Sequence, residues 1–218
     1  MRTGVERLVE INVNSVRLKG MLGLPEGAQG IVLFAHGSGS GRLSPRNQFV
    51  AGVLREGGLG TLLIDLLEEH EAEDRMNVFD ISLLTNRVEG VTDWLKSEFA
   101  TKDLSIGYFG ASTGAAAALE AAAYRPEVQA VVSRGGRPDL AMEYLQDVKA
   151  PTLLIVGGHD YPVISLNQEA YERLGGPKQL IIVPNATHLF EEPGTLEEVA
   201  RLARDWFSQY LTNEDDQE

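Results

Sequence analysis

Six short apolar runs constrain this chain more than any other feature: IVLFAHG (31–37), GTLLIDLL (60–67), LSIGYFG (104–110), QAVVSRGG (129–136), APTLLIVGG (150–158) and KQLIIVPNA (178–186). Each is bounded by Gly, Pro or polar residues, and each is apolar at successive positions rather than at alternate ones. A strand reads that way when both of its faces are buried, as in a parallel sheet covered by helices on either side. The segments between the runs carry helical periodicity, so the expected architecture is an α/β, doubly wound, mostly parallel sheet.

The expected helices are SPRNQFVAGVLREGG, one long helix over MNVFDISLLTNRVEGVTDWLKSEF, then STGAAAALEAAAY, PDLAMEYLQDV, PVISLNQEAYERLGG and a closing amphipathic TLEEVARLARDWFSQYL. Ahead of the first run, VERLVEINVNSVRLKGMLGLP alternates apolar and polar residues, so about residues 5–30 hold two antiparallel strands that reverse near Asn14 and Ser15. The charged stretch LEEHEAEDRMN (67–77) lacks periodicity and reads as a surface loop, either a solvated connection or a rim over a site. Residues 212–218 read as a frayed acidic tail. With 218 residues and no linker-like stretch, residues 1–218 are expected to form one domain.

Charge narrows the partners. Lys and Arg number 19 against 32 Asp and Glu, a net charge of −13, which argues against nucleic acid and anionic membrane and for small molecules. No cysteine is present, which removes disulfides, thiolate metal sites and a cysteine nucleophile. The charged N-terminal MRTGVERLVEINV lacks the apolar core of a signal peptide, so a soluble, cytoplasmic protein is expected.

GASTG, at 110–114, fits the G-x-S-x-G pattern. The pattern alone is weak, but here it follows a strand and opens a helix, the setting in which a tight turn holds a serine out at the end of a sheet. A helix N-cap is the plainer use of Ser112. As a nucleophile the hydroxyl needs a base and a group to orient that base. Of four histidines (36, 70, 159 and 188), His188 alone lies beyond both other candidates in the order Ser, acid, His. Asp160, directly after LLIVGGH, is the acid of choice; the competitor Asp139 reads as a first-turn helix carboxylate. A negative tetrahedral oxygen would take its hydrogen bonds from the backbone N–H groups of Thr113 and Ser38, the latter in HGSGSG. His36 is expected to pin that loop; His70 and His159 have no assigned role.

Taken together, HGSGSG, GYFGASTG, VVSRGGRPDL, APTLLIVGGHD and NATHLFEEPG resemble the α/β-hydrolase superfamily, in its dienelactone hydrolase-like branch, from about residue 10 to residue 211. The resemblance implies a sheet of about eight strands, helices on both faces, a Ser112–Asp160–His188 triad, an oxyanion hole from Ser38 and Thr113, and no cofactor. Dienelactone hydrolases proper carry a cysteine where this chain has Ser112, so their lactone substrate is not implied. No insertion is long enough for a cap domain.

Four arginines lie near the same sheet edge: Arg134 and Arg137 in SRGGRPD, and Arg42 and Arg46 flanking HGSGSG. Their guanidinium forks could hold a carboxylate or phosphate of an anionic substrate; alternatively they neutralise Asp139, Glu191 and Glu192 or brace loops. The expected function is a serine hydrolase of small esters, lactones or thioesters. A non-catalytic ligand- or partner-binding protein of the same fold is the alternative. Nucleotide binding is weak because neither G-x-G-x-x-G nor G-K-[ST] is in register, and no histidine cluster suits a metal.

Overall fold

A computed structural model describes residues 5–211; the acidic tail expected at 212–218 lies outside the described residues. The elements are β1 Val5–Val13, β2 Val16–Leu24, β3 Gly30–Ala35, α1 Pro45–Glu56, β4 Gly60–Ile64, α2 Glu69–Ala72, α3 Arg75–Val78, α4 Ile81–Ser97, β5 Ser105–Ala111, α5 Thr113–Tyr124, β6 Val128–Arg134, β7 Thr152–Gly157, α6 Tyr161–Arg173, β8 Lys178–Val183 and α7 Thr195–Tyr210. The eight strands form one sheet in the order β1-β2-β4-β3-β5-β6-β7-β8. From β4 to β8 every pairing is parallel, while β2 pairs antiparallel with both β1 and β4. The first reversal takes two residues, with Val13 opposite Val16 and Asn14 in the left-handed region at φ 54°.

Alternation along the buried strands divides the core into two layers. Ile31 and Leu33 of β3 face a layer with Leu84, Val88, Val91 and Leu95 of α4 and the alanines of α5. Val32 and Phe34 face the other, with Val50 and Leu54 of α1 and Val199, Trp206 and Phe207 of α7. Both faces of β3, β4 and β7 are fully buried, which is why these runs carry no polar alternation. The edge strand β8 is half exposed. Gly107, in the middle of β5, admits the last helix at close range: a Cβ there would lie 2.8 Å from Phe207 Cε1 and 3.1 Å from Leu211 Cδ1.

Three expectations change. The single helix over 76–99 breaks at Asp80, whose side chain accepts the Leu83 N–H and starts α4 there. PDLAMEYLQDV forms no α-helix but two short 3-10 turns, Pro138–Ala141 and Leu145–Asp147. Their bonds run i to i+3, Tyr144 N to Ala141 O and Val148 N to Leu145 O, and the Leu145 carbonyl also receives Gly175 N. Finally, the charged 67–77 stretch is ordered into α2 and α3. Glu68 and Glu71 form a capping box at α2, and the buried Arg87 of α4 holds Glu71 at 2.7 Å.

Candidate active site

Ser112 sits between β5 and α5 with φ 51° and ψ −123°, a conformation rare for a residue with a Cβ. Its flanking glycines supply room rather than unusual torsions. A Cβ on Gly114 would stand 2.3 Å from the Ala35 carbonyl and 2.4 Å from that of His36; one on Gly110 would stand 2.4 Å from Ala115 Cα. The turn is therefore wedged against the end of β3, and the strained torsion falls on the serine. Although Ser112 holds the N-cap position of α5, its hydroxyl makes no capping bond, which removes the plainer reading. Its backbone is held on both sides, by Ser112 N to Arg134 O at 3.3 Å and Arg137 N to Ser112 O at 3.0 Å.

His188 and Asp160 meet at 2.6 Å between Nδ1 and Oδ2. Asp160 occupies the N-cap of α6 yet leaves the helix uncapped, its carboxylate committed to the imidazole instead. Two loops make this meeting possible. After β7, Gly158 N and His159 N bond to Val183 O and Ala186 O, and a Cβ on Gly157 would lie 2.5 Å from the Ala186 carbonyl. The His188 ring also lies on Gly135, whose absent Cβ would be 3.5 Å from its Cε1 and Nδ1. Gly135 follows Arg134, the residue that receives the Ser112 N–H, so all three side chains share one rim. No hydrogen bond joins Ser112 Oγ to His188; such contacts tighten when substrate binds. Asp139, the competing acid, is taken by a two-pronged bond from Arg137, 2.8 Å at each oxygen.

Sequence reasoning missed the brace behind His188. The Glu192 carboxylate accepts Thr187 N at 3.0 Å and Thr187 Oγ1 at 2.6 Å, and these bonds hold its pKa below the ordinary carboxylate value. The signal was the T-x-x-x-x-E spacing around the histidine, which nothing local marks as a clasp.

Ser38 N–H points at the same region but is occupied, donating to Thr113 Oγ1 at 3.1 Å. Thr113 N–H, in the first turn of α5, has no intrahelical acceptor. His36 pins the loop as expected: Nδ1–H donates to Gly37 O at 2.9 Å and Nε2 accepts Leu66 N–H at 3.0 Å. Burial lowers its pKa, against the opposing pull of the Gly37 carbonyl and Asp65. His70 lies 3.6 Å from Glu68, and His159 faces the Tyr161 ring.

Beside the loop lies a cavity of about 350 Å³, lined by Ser38 and Thr113 at one end and by Leu67, Ala72, Val78 and Leu84 along its wall. The 67–77 stretch thus supplies part of the wall of this cavity. Three of the four arginines are engaged: Arg42 by Asp65 through backbone and side chain, Arg137 by Asp139, and Arg46 by Glu191 at 3.7 Å. Glu192, expected to neutralise an arginine, serves Thr187. Of the four, Arg134 alone has no acid partner among the described residues. Among the described residues no group of acids and histidines could hold a metal ion, and no helix is long and apolar enough to cross a membrane.

Comparisons with known proteins agree with the fold. A crystal structure of a dienelactone hydrolase from Anabaena variabilis ATCC 29413 is 60% identical, covers 95% of this chain and 99% of its own, and superposes with a TM-score of 0.93. Est1E from Butyrivibrio proteoclasticus, 16% identical over 93% of this chain and 98% of its own, shares the fold with a TM-score of 0.80. Two curated proteins of Mycobacterium tuberculosis, strains CDC 1551 and H37Rv, are each 58% identical over 93% of this chain and are provisionally named phosphoribosyl transferases. The chain spans about half their length, 46%. The family model of the dienelactone hydrolase family matches residues 49–212, three quarters of the sequence, with the strained serine and the paired imidazole inside it. The chain belongs to the dienelactone hydrolase family.

Proposed function

We propose that this protein is a serine hydrolase of small esters, lactones or thioesters. The observation that carries the reading is the Asp160–His188 bond at 2.6 Å beside a serine held in a strained turn with an uncommitted hydroxyl. Asp160 accepts the Nδ1 proton and so fixes the tautomer that leaves Nε2 free as a base. Ser112 Oγ adds to the substrate carbonyl as Nε2 removes its proton; the same proton then goes to the departing alcohol, thiol or ring oxygen. Water, deprotonated by Nε2, attacks the acyl-serine, and Ser112 recovers its proton as the acid leaves. Thr113 N–H faces the carbonyl oxygen as charge develops, and Ser38 N–H joins it once released from Thr113 Oγ1. The apolar wall of the cavity suits one compact hydrocarbon arm of the ester.

The phosphoribosyl transferase name of the longer relatives we assign to the part of those chains beyond the match, since the part that matches is 58% identical to this member of the dienelactone hydrolase family. We further propose that it acts in the cytoplasm on a small molecule, with neither nucleic acid nor membrane as partner, a reading that the acidic composition supports.

A second reading, a ligand binder with a disused triad, draws on the occupied Ser38 N–H and the open Ser112–His188 contact. A fluorophosphonate probe separates the two. Stoichiometric labelling, lost in Ser112→Ala and strongly slowed in His188→Ala, is expected; a folded wild-type protein that stays unlabelled at neutral pH removes the hydrolase.

A further inference from the structure

Among the described residues, Arg134 is a buried cation with no acid partner. It closes β6 on the layer shared with α1 and α7, following Ala130 and Val132, and only 8% of its surface is exposed. Its Nε and Nη1 are buried without a hydrogen-bond partner, and the charge acting on it is the like charge of Arg46. Burial first, and Arg46 second, pull its pKa down to about 10. Arg46, in the first turn of α1, has its own Nε buried and unpartnered, and its contact with the exposed Glu191 is a long 3.7 Å. A buried cation with neither acid nor acceptor is strongly unfavourable, and Arg134 is one; Arg46, one-third exposed and only loosely paired with Glu191, adds a like charge beside it. A protein tolerates such a pair where a ligand completes it.

The anchors of the two side chains bracket the reacting groups. The Arg134 carbonyl receives Ser112 N–H, Gly135 carries the His188 ring, and Glu191, which Arg46 touches, lies three residues beyond His188. The positive end of α1, a twelve-residue helix capped by Ser44, adds to the field. Arg42 and Arg137 are excluded from this role by Asp65 and Asp139.

We propose that Arg134 and Arg46 form an anion subsite beside Ser112 that takes a carboxylate or phosphate carried by the ester substrate. That the anion's bearer is an ester rests on the hydrolase reading; the subsite itself does not. Planar guanidinium forks match either oxyanion by paired hydrogen bonds. The ester then lies with its anionic arm toward β6 and α1 and its apolar arm in the cavity on the α4 side.

Two measurements test it, on the wild type, Arg134→Met and Arg46→Met. In thermal melts at matched ionic strength, inorganic phosphate is expected to raise the wild-type Tm and to leave Arg134→Met unmoved. Without phosphate, Arg134→Met should melt no lower than the wild type, because the substitution removes an uncompensated charge. In turnover, 4-nitrophenyl butyrate and the hemisuccinate ester differ by one carboxylate; either variant should lose about tenfold in kcat/KM on the anionic ester, mainly through KM, and little on the neutral one. Equal losses on both esters, or a phosphate shift that persists in Arg134→Met, overturn the subsite. A phosphate shift lost in Arg134→Met without ester discrimination overturns the substrate-borne anion and leaves free phosphate as the occupant. Should Arg134→Met not fold, Arg46→Met decides by the same criteria. Absent labelling and turnover end the hydrolase reading, while the phosphate melts still judge the subsite.

Discussion

Ser112 carries a torsion that its own Cβ resists, and the energy involved is of order 1–3 kcal/mol. Ser112→Gly should therefore be more stable than Ser112→Ala by about 1 kcal/mol, both being inactive; chemical unfolding of the pair reads the difference, and equal midpoints would mean no strain. Gly114→Ala should fail to fold or to act, because the new methyl meets two backbone carbonyls that cannot move aside. His36 gives a pH signature. Its folded pKa is depressed, so between that value and its ordinary 6.5 the unfolded chain binds the proton more readily. The His36 contribution to stability is flat above about 6.5 and falls as the pH drops below it, since a protonated ring can no longer accept Leu66 N–H. Urea midpoints from about pH 8 to about pH 5 should fall more steeply for the wild type than for His36→Gln. The placement of Ser112, Asp160 and His188 beyond the ends of β5, β7 and β8 was legible in the sequence because each lies in the turn or loop after a recognisable strand. The Glu192 clasp on Thr187 and the Thr113 hold on Ser38 were not: both join side chain to backbone across turns whose shape the sequence leaves open.

At the level of elements, strands were easier to read than the helices around the site. A doubly buried strand advertises itself by an unbroken apolar run, whereas the 138–148 segment has helical spacing but loses the Leu145 carbonyl to Gly175 of a distant loop. The 67–77 stretch failed the periodicity test because its order comes from one buried ion pair rather than from an apolar face. Arg87 and Glu71 keep side-chain exposures of only 8% and 15%, so removing one partner leaves the other charge stranded. Arg87→Met should cost roughly 3 kcal/mol in denaturant unfolding, and adding Glu71→Leu should restore much of it. The single variant should also raise KM for esters with bulky apolar arms, as α2 loosens from the cavity wall; an unchanged KM would detach this stretch from substrate binding.

For the molecule as a whole, the net charge of −13 opposes compaction by self-repulsion. Raising sodium chloride to about 0.5 M should increase Tm; no increase would mean that the ion pairs, weakened by the same screening, offset the relief. The sheet order places β5 at its centre, flanked by β3 and β6, so the serine turn, the loop after β3 and Arg134 come from three adjacent strands. The contact between Gly107 and Phe207 has a temporal corollary. The central strand is backed by a helix made a hundred residues later, so a nascent polypeptide emerging from the ribosome exposes that bare glycine groove until translation has passed residue 211. Any earlier intermediate presents an unfinished apolar surface to chaperones, and the strand that leads into Ser112 gains its backing only after α7 has been made.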